Sequence, residues 1–170
     1  MAIRKHKDEL EALIKDIKTL VSASKKKIIR EVNNEIISIY WQIGKLILET
    51  EANTKMDNKS NRELIIDLSK ELTLQLGKGY NRSNLTYMRL FYLEYLSGVT
   101  LSHQMSWSHY IELLKVEDKL ERKFYENQTI QEKWSVRELR RQKDSALFQR
   151  LALSKDKDGI LNLARKGQTF

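Results

Sequence analysis

Residues 28–47 read IIREVNNEIISIYWQIGKLI, and apolar side chains recur in this stretch every three or four positions. That spacing places them along one side of an α-helix. We therefore predict one long, bent amphipathic helix, or two helices that meet near residues 22–24. The apolar stripe begins well before residue 28 and consists of Leu10, Leu13, Ile14, Ile17, Leu20, Val21, Ile28, Val32, Ile36, Ile39, Tyr40, Ile43 and Ile47.

A helix of this length cannot bury its apolar stripe alone. It must pack on the rest of the chain or on a partner helix, so a homodimer is one arrangement that the pattern supports. Residues 1–52 are accordingly expected to form an N-terminal helical arm that can serve as a dimerisation element.

The composition also favours helices over strands. The 170 residues include no proline and only six glycines, and 41% are hydrophobic, which is enough for a packed core. No cysteine is present, which excludes a disulfide scaffold, a thiol nucleophile and a cysteine-ligated zinc site.

After a polar loop at 53–61, local signals mark the later helices. Ser60 and Glu63 have the spacing of a capping box, and Ser135 and Glu138 repeat it between Trp134 and Leu139. The expected helices lie at 61–76, 81–96, 107–115, 118–132 and 136–151, with a loop or short turn at 97–104.

The predicted fold is therefore all-α, with a long N-terminal helix or helix pair followed by a compact bundle of four to five helices. The bundle is expected to cover residues 53–155, with a helix-turn-helix-like segment at 63–96. Residues 156–170 are expected to be a charged tail, or a linker towards a further domain, with a short helix around 160–164 as one alternative. The chain looks truncated at that point.

Charge and hydropathy limit the partners and the location. Residues 1–6 lack the apolar run of a signal peptide, and no stretch approaches the roughly 18 apolar residues that span a bilayer. A cytoplasmic protein without a membrane partner is expected. The net charge of +8, with a pI near 9.5, admits a nucleic acid or an acidic protein as partner.

No grouping of residues predicts catalysis. His6, His103 and His109 lack the three or four convergent ligands that zinc needs. No phosphate-binding loop is present, and residues 117–119 (EDK) fit a charge cluster at a helix start. We expect no catalytic residue, no metal and no cofactor in this chain.

The first candidate nucleic-acid surface is the second helix of the segment 63–96. Arginine and asparagine are the residue types that read guanine and adenine edges. The same helix carries apolar and aromatic residues nearly all round, which is equally typical of a buried central helix. Its candidate contacts are Arg82, Ser83, Asn84, Tyr87 and Arg89.

The second candidate surface lies between residues 133 and 150, where basic residues outnumber Glu138 and Asp144. Such clustering on one helix can neutralise phosphates, although a solvated helix face is the alternative. Its candidate contacts are Lys133, Arg137, Arg140, Arg141 and Lys143.

Seven short strings follow one another along most of the chain. They are YWQIGK at 40–45, LSKEL at 68–72, GKGYNRSNL at 77–85, MRLFY at 88–92, SWSHY at 106–110, RKFY at 122–125 and WSVREL at 134–139. In this order they resemble the YhcG family, also called DUF1016, over about residues 30–155. The resemblance implies an N-terminal helical domain followed by a PD-(D/E)xK nuclease-type domain, which would hold the metal and the catalytic carboxylates beyond this chain.

Resemblance, charge and the helix-turn-helix outline together predict a non-catalytic, DNA-binding or targeting domain of a nuclease-family protein. The alternative is a homodimerisation or regulatory scaffold that binds no nucleic acid. That alternative rests on the long apolar stripe.

Overall fold

The computed structural model describes residues 2–55, 57–96, 102 and 104–153, with side chains from residue 9 onward. In these residues every regular element is helical, which confirms the predicted all-α fold. The expected tail at 156–170 and most of the loop at 97–104 lie outside the described residues. The helices are α1 (Ala2–Asn53), α2 (Asn58–Leu76), α3 (Arg82–Glu94), α4 (Trp107–Leu114), α5 (Lys119–Gln131), α6 (Val136–Asp144) and α7 (Leu147–Ala152), with a 3-10 turn (Lys78–Tyr80) before α3.

The N-terminal stripe forms one continuous helix, not two. At about 1.5 Å per residue, the 52 residues of α1 extend over roughly 78 Å. Residues 9–32 are all exposed, whereas Ile37 and Ile47 are buried. Only the second half of α1 therefore joins the bundle. The expected domain division near residue 53 stays a prediction.

Polar side chains determine where α2 and α3 begin. The Ser60 amide donates to Oδ1 of Asp57 at 2.8 Å, and the Asn84 amide donates to Oδ1 of Asn81 at 3.0 Å. Helix α2 thus begins at Asn58, three residues before the predicted start, because Asp57 supplies the cap ahead of Ser60. Gly77 ends α2 with a φ of 97°, a conformation that glycine adopts without a Cβ clash.

Helix α3 lies at the centre of the fold. Its buried residues Leu85, Met88 and Phe91 are each 0% exposed. Phe91 belongs to a cluster with α4, α5 and α6, and the other two belong to a cluster with Ile47 of α1 and Ile65 of α2. The three tryptophans, Trp41, Trp107 and Trp134, pack against these clusters.

The single helix expected at 136–151 is wrong, because the chain breaks into α6 and α7. Ala146 adopts a left-handed conformation with a φ of 51°. The Tyr125 hydroxyl bridges the break: it donates to the Gln142 carbonyl at 3.4 Å and accepts from the Phe148 amide at 3.3 Å. The turn brings Leu147 and Phe148 against the core, which a continuous helix would not do.

In the part of the chain that the structure describes, no helix combines the length and apolar character required to cross a bilayer.

Gly44 of α1 lies directly against the backbone of α3. A Cβ added there would lie 2.0 Å from the Met88 carbonyl oxygen and 3.0 Å from the Tyr92 Cβ. Both obstacles are backbone or near-backbone atoms of α3, so neither can rotate away. Only glycine permits α1 and α3 to pack this closely.

We predict that Gly44→Ala destabilises the protein by about 2 kcal/mol or more, because overpacking must separate α1 from α3. In an open helix the same change would stabilise by about 1 kcal/mol, so the sign itself reports the contact. Urea unfolding followed by circular dichroism measures the difference.

Gly79→Ala is the matched control for Gly44→Ala. An added Cβ at Gly79 would meet only the Tyr40 hydroxyl, at 3.6 Å, which is ordinary van der Waals contact. The control should change stability little. Equal stability for the wild type and Gly44→Ala would contradict the close approach.

Candidate nucleic-acid interface

A cluster of positive charge belongs to α6 and to Lys133, two residues before its cap. Ser135 caps the helix, with its hydroxyl accepting from the Glu138 amide at 3.2 Å, and Leu139 is fully buried on the inner face. Cations at i, i+3 and i+4 share the opposite face. We call the set Lys133, Arg137, Arg140, Arg141 and Lys143 the α6 basic patch.

The members of the α6 basic patch differ in whether they form ion pairs within the protein. Lys133 and Arg137 are exposed, and neither makes an ion pair with another described residue. Arg141 pairs with Glu138 at 2.7 Å while its side chain stays 73% exposed. The structure thus leaves three of the five cations open to an anionic partner.

The other two cations are tied to a buried carboxylate on α4. Arg140 contacts Oε1 of Glu112 at 2.8 Å, and Lys143 contacts Oε2 at 3.2 Å. Lys143 also donates to the Glu112 carbonyl at 2.6 Å, and Lys115 contacts Oε1 at 2.7 Å. Three cations around one buried anion fix α6 on α4 and leave a local excess of positive charge.

Glu112 stays ionised over the whole physiological range. Burial opposes its charged form, but hydrogen bonds from Lys115, Arg140 and Lys143 outweigh burial and lower its pKa to about 2. Sequence reasoning missed Glu112, since its i,i+3 spacing to Lys115 suggests only a local pair. Its partners on α6 lie 28 and 31 residues away.

His109 joins the start of α4 to the start of α6. Its Nδ1 accepts from the Ser106 amide at 3.0 Å, so Nε2 carries the proton and donates to the Trp134 carbonyl at 3.0 Å. Burial lowers the pKa of His109, although the bond to Trp134 opposes this shift. Both ring nitrogens are therefore engaged in holding the approach to α6.

The residues predicted on α3 are placed differently. Asn84 accepts from Nε1 of Trp107 at 2.7 Å and donates to the Gly79 carbonyl. Arg89 makes a bidentate pair with the buried Glu51 of α1, with Nε at 2.8 Å and 2.9 Å from the two carboxylate oxygens. Tyr87 packs against the core. These three side chains already have structural partners.

Arg82 and Ser83 remain exposed at the first turn of α3. Arg82 lines a cleft of about 450 Å³ between α1, α2 and α3. The sequence alone did not predict this cleft. An exposed arginine of α2, Arg62, lines the same cleft with Asn58 and Asn61. The α6 basic patch lies on a helix that packs on α4, α5 and α7, so the two basic regions are separate.

A metal site is not found among the residues that the structure describes, where no three His, Asp or Glu side chains converge. His6 and His103 lie outside the side chains described.

We predict that Glu112→Gln lowers the free energy of unfolding by about 3 kcal/mol at pH 7, because three cations lose their buried counter-charge. The folded-state pKa of about 2 lies below the ordinary value of 4.5. The contribution is therefore fully present above about pH 4.5 and is lost as the pH falls towards 2. Denaturant melts from pH 7 to pH 2.5 should show wild type and variant converging.

Glu138→Gln serves as the control, because Glu138 pairs with an exposed arginine at the surface. It should leave stability nearly unchanged at every pH. A loss as large as that of Glu112→Gln, or a Glu112→Gln difference independent of pH, would contradict the anchoring role of Glu112.

Comparison with known proteins agrees with the resemblance seen in the sequence. The model of the DUF1016 N-terminal domain matches residues 16–150. “Putative nuclease YhcG” of Escherichia coli (strain K12) is 30% identical over 183 residues, covering 88% of this chain and 48% of that protein. The chain thus spans about half the length of this curated relative. No solved structure shows significant similarity. Since the family model covers most of its length, the chain belongs to the DUF1016 N-terminal domain family.

Proposed function

We propose that the chain is the nucleic-acid-binding, targeting domain of a nuclease-family protein, and that the α6 basic patch contacts the phosphate backbone. The observation that carries the proposal is the concentration of charge. Residues 133–143 hold five cations against Glu138 alone, a net charge of +4, while the whole chain carries +8. Eleven residues thus hold half of the net charge.

The geometry of the patch suits a phosphate backbone better than a base edge. Arg137, Arg140 and Arg141 share one face of α6, and no described aromatic side chain is exposed beside them for stacking. Guanidinium groups bind phosphate oxygens in a bidentate manner. Contacts of this kind position a duplex without reading its sequence. We therefore assign the patch a backbone-binding role.

The relative suggests that the anionic partner is a nucleic acid. Its name is “Putative nuclease YhcG”, and it extends over about twice the length that this chain covers. We place catalysis in the part of such a protein that this chain does not include. In this arrangement residues 1–52 and 53–155 form the arm and the binding bundle, and residues 156–170 lead towards the nuclease-type domain.

The test is a fluorescence-anisotropy titration with a labelled random duplex and the matching single strand. With three or four phosphate contacts and a slope of about −0.9 per contact, affinity should fall about 40- to 150-fold between 50 and 200 mM salt. The absence of salt-dependent binding to either probe at 50 mM would overturn the proposal.

Reversing the charge of two arginines tests whether the α6 basic patch is the surface that binds the duplex. Arg137→Glu/Arg141→Glu should weaken binding at 50 mM salt by a factor on the order of a hundred, since two phosphate contacts are lost. Arg140 is left unchanged because it holds Glu112. Unfolding melts of both proteins confirm that the fold is retained.

Arg62→Glu/Arg82→Glu is the matched control for the α6 variant. It makes the same change of charge at the cleft between α1, α2 and α3. It should bind the duplex nearly as well as the wild type, apart from a small effect of net charge. The opposite result, loss in this variant and retention in the α6 variant, would move the interface to the cleft.

A second prediction concerns catalysis. The purified chain, incubated with supercoiled plasmid and Mg²⁺ or Mn²⁺, should leave the plasmid intact on an agarose gel. Cleavage that co-elutes with the protein through two different chromatography steps would contradict the non-catalytic assignment.

A further inference from the structure

The first half of α1 exposes a continuous apolar face. Every residue from 9 to 32 is exposed, and the first contact between α1 and the bundle is the hydrogen bond from Asn33 to the Met105 carbonyl, at 2.8 Å. Nine large apolar side chains of this segment are between 41% and 71% exposed: Leu10, Leu13, Ile14, Ile17, Leu20, Val21, Ile28, Ile29 and Val32.

The described part of the bundle does not cover this face. At about 100° per residue, all nine except Ile29 lie within an arc of roughly 120° around the helix axis. Ile37, Gly44 and Ile47, which face the bundle, point between about 120° and 180° away from the centre of that arc. The exposed face of a continuous helix therefore points away from the described part of the bundle.

Helix stability also favours a partner. Most helical stability in proteins comes from packing an apolar face, and residues 9–32 leave their apolar side chains exposed in the part of the chain that the structure describes. The two serines and four cations between residues 22 and 30 add no apolar packing.

We infer that this face binds a second copy of the chain, and that the two α1 helices pair antiparallel with Val21 at the two-fold axis. Three apolar pairs are symmetric about that residue: Leu10 with Val32, Leu13 with Ile29, and Ile14 with Ile28. Ile17 and Leu20 do not follow this symmetry, since their counterparts are Lys25 and Ser22. An antiparallel pair centred there brings the members of each symmetric pair opposite each other, as a two-fold interface requires.

Charge favours the same orientation. Residues 9–16 carry Glu9, Glu11 and Asp16 against Lys15, a net charge of −2. Their counterparts across Val21 are residues 26–33, which carry Lys26, Lys27 and Arg30 against Glu31, a net charge of +2. An antiparallel pair sets the acidic segment beside the basic one and places Asp16 opposite Lys26, although Glu11 falls opposite Glu31 and Lys15 opposite Lys27. A parallel pair in register would place the two runs of Lys25–Lys27 together.

The inference stands apart from the proposed nucleic-acid function. It rests on α1, and none of its residues belongs to the α6 basic patch. Either proposal can fail while the other holds.

Light scattering coupled to size-exclusion chromatography tests the association. From the chain mass of 20.1 kDa, a dimer of about 40 kDa is expected at tens of micromolar. Val21→Glu should give a monomer, because it sets two carboxylates against each other at the axis. Ala23→Glu, an exposed position on the opposite side of α1, adds the same charge and should remain dimeric.

A wild-type mass of 20.1 kDa at these concentrations would overturn the proposal and leave the face to a different protein. A Val21→Glu protein that remains dimeric would also overturn it. Circular dichroism of Ala23→Glu checks that a glutamate in this segment does not itself unfold the helix.

Disulfide trapping tests the orientation, since the chain has no cysteine of its own. Val21→Cys should cross-link to itself on mild oxidation. Leu10→Cys alone should not, but an equimolar mixture of Leu10→Cys and Val32→Cys should cross-link. Self-linking of Leu10→Cys alone would establish a parallel pair and overturn the antiparallel arrangement.

Discussion

The close approach of α1 and α3 at Gly44 is the constraint on which the rest of the fold depends. It brings the backbone of α1 against the carbonyl of Met88, and the two core clusters form on either side of α3. Trp41 reinforces the pair by donating to the Tyr95 carbonyl at 2.8 Å. Arg89 and Glu51 close its other end with a bidentate pair. Both contacts direct polar groups of α3 and its C-cap towards α1 and not towards solvent.

Because α3 packs closely on α1, the segment with the outline of a helix-turn-helix is not the one that carries free positive charge. A recognition helix needs one face that contacts little within its own domain. Helix α3 packs on α1, α2 and α4, and Asn84 and Arg89 serve those contacts. Helix α6 is only half covered, and its outer face consists of arginines held above a buried glutamate. The polar residues of α3 therefore support the core, whereas those of α6 leave positive charge at the surface.

The sequence predicts most of the helices because their signals are local. The apolar spacing of α1 and the caps Asn81, Asp118 and Ser135 lie within a few residues of the helices that they determine. The break at Ala146 could not be predicted in this way, since it depends on the hydroxyl of Tyr125, more than 15 residues away. Likewise, the basic residues of α6 were visible in the sequence, but the distinction between free Arg137 and anchored Lys143 depends on Glu112. Tertiary ion pairs leave no periodic pattern in a sequence.

Because α1 is long, a small change in its angle at the contact with α3 moves its N-terminal end a long way. Leu10 lies 34 residues before Gly44, a distance of about 51 Å along the helix. If α1 moves as a rigid rod, a tilt of about 10° at its contact with α3 displaces Leu10 by roughly 9 Å. The helix contacts the bundle from Asn33 to Glu51, and a tilt of this packed half becomes a larger displacement at the exposed N-terminal end. Small adjustments within the bundle are amplified at the far end of α1, and a force applied at that end is carried back to the centre of the core.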